Sequence, residues 1–172
     1  MILTSIFLKN LKDALVNLTW DSPDGGGTTS FKAVFTYPNW SNDAGYPFAV
    51  ILFTGGEWIA EQNATMQDGM LMSFEIHVCV DYTAIDAQSD SEKREESALR
   101  LREASDKLTE WILNPDNFES VLQNPDTAYI GAFAGNYRES VAIRTEYEPE
   151  LNFDKVVFTF TVVSTVENEN TL

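Results

Sequence analysis

A chain of 172 residues with 44% hydrophobic and 22% charged residues has ordinary globular composition, which excludes disordered and fibrous classes and predicts one domain, residues 1–172, with a sizeable core. The formal charge of −16, from 27 acids against 11 bases, opposes any nucleic-acid binding that works by Lys and Arg displacing phosphate counterions. Cys79 is the only cysteine, which excludes an intramolecular disulfide or a Cys-based zinc site and fits a reducing compartment.

The acidity is uneven. Residues 61 to 90 hold Glu61, Asp68, Glu75, Asp81, Asp86 and Asp90 with no Lys or Arg, and residues 114 to 172 hold ten acids against Arg138, Arg144 and Lys155. Ser91 to Leu113, between them, is nearly balanced. Such a distribution gives either a solvated surface or a negative patch that repels DNA or meets a basic partner. Lys9, Lys12 and Asp13 interrupt the apolar N-terminal segment, so no export signal is expected, and no run of about 18 apolar residues predicts a membrane span. The sequons at Asn17, Asn39 and Asn63 then read as chance matches.

In chain order, Leu3, Phe7, Leu11, Ala14, Leu15 and Leu18 recur at spacings of three and four and predict an amphipathic helix. Asp21 to Ser30, with three successive glycines, predicts a mobile loop. It lacks the Lys of a phosphate loop and is followed by a strand-like segment, so phosphate binding is not indicated. Alternation at Phe31, Ala33, Phe35 and Tyr37 predicts a half-buried strand. The apolar run Pro47 to Phe53 predicts a central strand covered on both faces and closed by Gly55 and Gly56. Met70 to Tyr82 alternates most clearly and predicts a long strand whose Ser73, Glu75, His77, Cys79 and Asp81 form a wetter face.

Ser89 with Glu92 reads as a capping box after a second mobile loop near 86–91. Ala98, Leu101, Ala104, Leu108, Trp111 and Ile112 trace the stripe of the helix it opens, which Asn114 and Pro115 stop. A short helical piece over Asn117 to Gln123 follows. Val141 to Tyr147 and Val156 to Val162 predict a closing hairpin, and the polar tail VENENTL is expected to fray. The order α-β-β-β-α-β-β predicts an α+β fold: an antiparallel or mixed sheet of about five strands flanked by two main helices.

No catalytic constellation is legible. His77 is the only histidine; it shares a strand face with Cys79, but no third group completes a nucleophilic site. Glu57, Glu61, Asp68, Glu75 and Asp81 match no calcium loop, although a carboxylate pair assembled by the fold remains an alternative. Trp40 and Tyr46, in a loop of Asn, Ser, Asp and Gly, and Trp58, after the glycine pair, are candidate interface anchors, with packing back onto the core as the competing reading. No metal or cofactor is implied.

The amphipathic helix, the FKAVFTYP and YPFAVILFTG strands, the long MSFEIHVCVDY strand, the REASDKLTEWIL helix and the closing VVFTFTVV strand, taken in order over nearly the whole chain, resemble the tail terminator, or head-to-tail joining, proteins of long-tailed bacteriophages. The resemblance implies a structural virion protein: a hexameric ring on the last ring of tail-tube protein, halting tube growth and docking the head connector at the tail–neck junction. Assembly in the host cytoplasm and DNA passing without tight binding would follow. Glu75, Asp81, Glu146 and Glu148 are the expected lumen-facing acids, and the loops 21–30 and 86–91 the expected partner contacts. Competing expectations are another neck or tail-tube protein, a small carboxylate-dependent enzyme using His77, and an acidic regulator of a basic partner.

Overall fold

The computed structural model describes residues 2–22, 27–40, 47–60, 67–114, 116–117, 121, 137–148 and 153–167. Helix α1, Ile2–Val16, buries Phe7, Leu11 and Leu15 at four-residue spacing. Its last turn is closed by Asn17, whose backbone N–H and Nδ2 both donate to the Asp13 carbonyl (3.3 and 2.7 Å), supplying the donors that the carbonyls of a helix C-terminus lack. Asn10, also buried, donates through Nδ2 to the Val121 carbonyl at 2.9 Å.

The glycine-containing segment is not wholly loop. Strands β1, Thr19–Asp21, and β2, Thr28–Ser30, form an antiparallel hairpin, with Ser22 N donating to Gly27 O at 3.0 Å and Gly27 at φ 94, where glycine carries no steric cost. Residues 23–26, the rest of the expected loop, lie outside the described residues. Trp20 anchors the hairpin in the core, its ring 5.2 Å from that of Phe31.

The strand expected over residues 31–37 shrinks to β3, Val34–Phe35, which runs parallel to β4, Phe48–Ala60. Lys32 N donates to Pro47 O and Ala49 N to Ala33 O. Phe31 and Val34 enter the main core, whereas Ala33 and Phe35 pack on the opposite side of the sheet. Alternation there reflects a bent segment serving two clusters.

Strand β5, Gln67–Asp81, ends in a single 3-10 turn, Tyr82–Ala84. Strands β6, Tyr137–Glu148, and β7, Phe153–Glu167, form the closing hairpin, giving the sheet order β3-β4-β5-β7-β6, antiparallel except at β3. The middle strand is therefore β5, not the Pro47–Phe53 run. Nor do Gly55 and Gly56 close β4: a bulge between Phe53 and Gly55 shifts the register, and pairing continues to Ala60↔Asp68.

Helix α2, Asp90–Leu113, begins at the capping box, where Glu92 N donates to Ser89 Oγ (3.3 Å) and Ser89 N to Glu92 Oε2 (2.9 Å). The helix thus claims Asp90 and Ser91 from the expected 86–91 loop. Its buried stripe is Ser97, Leu101, Ala104, Ser105, Leu108 and Ile112; Ala98, assigned to the stripe by spacing, is exposed one position too far round. Asn114 leaves the helix at φ −79, ψ 113, the extended geometry that Pro115 imposes. Of the short helical piece expected over Asn117 to Gln123, Asn117 and Val121 are helical, with Asp116 before them, and the remainder lies outside the described residues.

Helix α1 lies against β3 and β4 and α2 against β5 and β7; both feed one core with Ile51, Phe74, Ile76, Val78, Phe158 and Phe160. The fold is α+β: a mixed five-stranded sheet with two helices contributing to one core, and an added hairpin.

Where α2 meets the sheet, the Arg94 guanidinium stacks 4.4 Å from the Tyr82 ring centroid and donates to its hydroxyl at 3.3 Å. Asp154, opposite Val80, has its carboxyl pKa raised above the usual 3.8, chiefly by burial, with the Arg94 charge pulling the other way. A raised carboxyl pKa means the folded chain holds a proton that the unfolded chain releases, so stability is lost as pH rises from 3.8 through the higher folded value. Asp154→Asn, which cannot ionise, should therefore gain stability over the wild type as pH rises through that window. Thermal unfolding at acid and neutral pH checks it; a difference that does not grow with pH contradicts the assignment.

Candidate functional site

The face of the sheet opposite the helices carries a polar centre inside an apolar rim. Odd-numbered residues of β5 reach it, and Phe48, Val50 and Cys79 are fully buried there beneath Ala33, Phe35, Trp40 and Leu52. The wetter face expected for β5 is thus covered at its middle by the 33–40 segment, a strap that carries Trp40 over the sheet.

Beneath the strap, His77 is 6% exposed and its Nε2 lies 2.8 Å from Glu75 Oε2, the carboxylate accepting. Thr159 Oγ1 donates to the other oxygen, Oε1, at 3.5 Å. The Trp40 ring centroid is 5.3 Å from that of His77, and Lys155 Nζ is 5.7 Å from the same indole. A buried Lys is rare without compensation; here an aromatic face supplies part of it. The register aligns Lys155 with Cys79 on one side and Glu146 on the other.

Chemically, an imidazole paired with a carboxylate can move a proton; here the imidazole is buried against the Trp40 indole and the Glu75 side chain keeps 19% exposure. Among the described residues, no group of three or more His, Cys, Asp or Glu side chains is placed to hold a metal ion. The arrangement instead pins the strap to the sheet through directional contacts.

A second feature is the length of the sheet. Strands β5 and β7 have 15 residues each, β4 has 13 and β6 has 12, about two to three times the usual strand. At about 3.3 Å per residue, β5 spans roughly 50 Å, longer than the roughly 40 Å diameter of a compact domain of this size. The rings of Phe53, Phe74 and Phe160 form one aromatic row with Phe7, and Met72, the next core-facing residue along β5, is still buried in the main core. Beyond that row Thr54, Gly56 and Glu57 are exposed, yet pairing runs on to Asp68↔Val166 and Gln67↔Glu167. The sheet therefore continues past the aromatic row as an arm of paired strands. Among the described residues, only Val34 and Phe35 pair with the outer edge of β4.

The expected anchors divide. Trp40, at the end of the strap, is half-buried and packs back on the sheet. Trp58 is not on a loop; it sits in the β4 arm opposite Met70, its side chain outside the described residues. Tyr46 lies outside them altogether. Of the expected lumen acids, Glu75 is held by His77 and Thr159, and Asp81 caps the 3-10 turn through Oδ1, which accepts from Thr83 N (2.9 Å) and Oγ1 (2.7 Å). Glu146 stands at the register level of Lys155 and Cys79, and Glu148 at that of Phe153 and Asp81. Both are on β6; their side chains lie outside the described residues.

Lys155 was given no role by sequence reading. Its alternation with Val157 and Thr159 was the available signal, hidden because a lone Lys in a strand ordinarily faces water. No protein-family model matches the chain, and no curated protein is significantly similar to it. No helix among the described residues is long and apolar enough to cross a membrane.

Proposed function

We propose that this chain is a structural subunit of a long-tailed phage, forming a ring that caps the tail tube, stops its growth and joins the tail to the head connector. The observation that carries the reading is the sheet arm, Thr54–Ala60 with Gln67–Leu71 and Val162–Glu167, where pairing runs on beyond the aromatic row and, among the described residues, leaves strand edges for repeated contacts. An isolated chain gains little from such an arm. In a ring it becomes an interface, because heterologous contacts close when the rotation per subunit divides a full turn, six being the number the resemblance implies. The order of elements over nearly the whole chain is the second support. The acid excess suits a conduit through which DNA passes without being held. In this reading the polar centre under Trp40 fixes the strap and takes no part in chemistry, and the finished protein resides at the tail–neck junction of the virion.

The test is to mix the purified chain with tail tubes assembled without a terminator and to image them. Tubes capped at one end and halted at fixed length are expected. Polymerisation of the chain into tubes of its own would replace this reading with that of a tube protein, and indifference to tubes would remove it.

A further inference from the structure

Among the described residues the sheet has two open edges: β4 beyond the two residues that β3 covers, and β6, whose 12 residues have no strand on their outer side. Ala142 is exposed and Ile143 is 51% exposed. Neighbouring residues in a strand point to opposite faces, so β6 is open to solvent on both faces at its middle. The segment from Ser140 to Glu148 pairs with β7 without irregularity, the bulge being confined to Arg138/Ser140. It is therefore a regular template for one more strand.

Charge indicates which strand. Elsewhere the acid excess would drive two copies apart, but β6 carries Arg138 and Arg144 against Glu139, Glu146 and Glu148 and is nearly balanced. In an antiparallel pairing of β6 with itself centred on Ile143, Ile143 stands opposite its own copy and Val141 opposite Thr145. Over the regular span Ser140–Glu146, Arg144 stands opposite Ala142 and Glu146 opposite Ser140, so no like charges face one another directly. We infer that β6 is a self-association edge, and that in the free chain it pairs with β6 of a second copy in this register, joining two five-stranded sheets into one. Such a contact is isologous and closed, so it hides the long edge without seeding a filament. The inference concerns the free chain and does not rest on the tail-terminator reading.

Sedimentation velocity across the micromolar range tests it, using the wild-type chain, Ile143→Lys and Ile143→Glu. Because Ile143 is half exposed, both variants should fold, which far-ultraviolet circular dichroism checks. The wild type should sediment as a dimer. Each variant should be a monomer, since identical charges then meet at the centre of the pairing, and an equal mixture of the two should recover the dimer. A wild type that stays monomeric, a variant that remains dimeric or a mixture that fails to pair overturns the inference. A free hexamer also overturns it while leaving the tail-capping reading standing; a dimer that ignores tail tubes does the reverse.

Discussion

Replacing Phe74 with Ala should cost about 4 kcal/mol of folding stability, about a quarter or more of what a domain of ordinary stability has. Phe74 is fully buried on the central strand, with the Phe7 ring at 4.4 Å, Phe53 at 5.4 Å and Phe160 stacked at 5.6 Å. Those four rings come from α1, β4, β5 and β7, so the truncated site cannot collapse without moving a helix relative to the sheet. The residual cavity then adds to the lost transfer energy. Denaturant unfolding measures it, with Leu113→Ala as a control; Leu113 is 58% exposed and should change stability by less than about 0.5 kcal/mol. An effect at Phe74 no larger than the control would mean that α1 is not docked where the structure places it.

The second large effect belongs to the polar centre. Glu75→Leu should destabilise by about 2 kcal/mol, because it removes a charged acceptor from a buried imidazole and leaves the ring desolvated. His77→Phe alone should cost less, since Phe keeps an aromatic ring against Trp40 and leaves Glu75, whose side chain is 19% exposed, within reach of water. Combining the two removes both polar partners, so the double variant should be more stable than Glu75→Leu. Strict additivity across the cycle would show that the 2.8 Å contact carries no coupling. Under the proposed tube-capping role the His77→Phe chain should match the wild type in the tail-tube assay, whereas a catalytic histidine would not tolerate the change.

Elements with one uniform environment were legible from sequence. Phe7, Leu11 and Leu15 on α1, and Met72 to Val80 at even positions on β5, each face a single core, so their periodicity matches their burial. The Ser89–Glu92 capping box was readable because it is a local exchange of two hydrogen bonds. What misled was segments serving two surfaces. Residues 31–35 alternate like a strand yet divide between two clusters, and the Gly55–Gly56 pair reads as a stop although it follows a bulge within β4. The candidate site was half visible. Trp40, Glu75 and His77 were singled out, but their convergence with Lys155 depends on the register of β5 with β7, which no local spacing encodes.

Hydrogen exchange on the chain, alone and bound to tail tubes, tests most directly the claim that the sheet arm is an assembly surface. New protection on binding should concentrate in Thr54–Ala60 and Ser164–Glu167, the strand edges left unpaired among the described residues, with the Phe48–Ile51 and Ile76–Val80 amides protected in both states. Protection appearing instead on the exposed side of α2, with the arm exchanging as freely as before, would contradict the account.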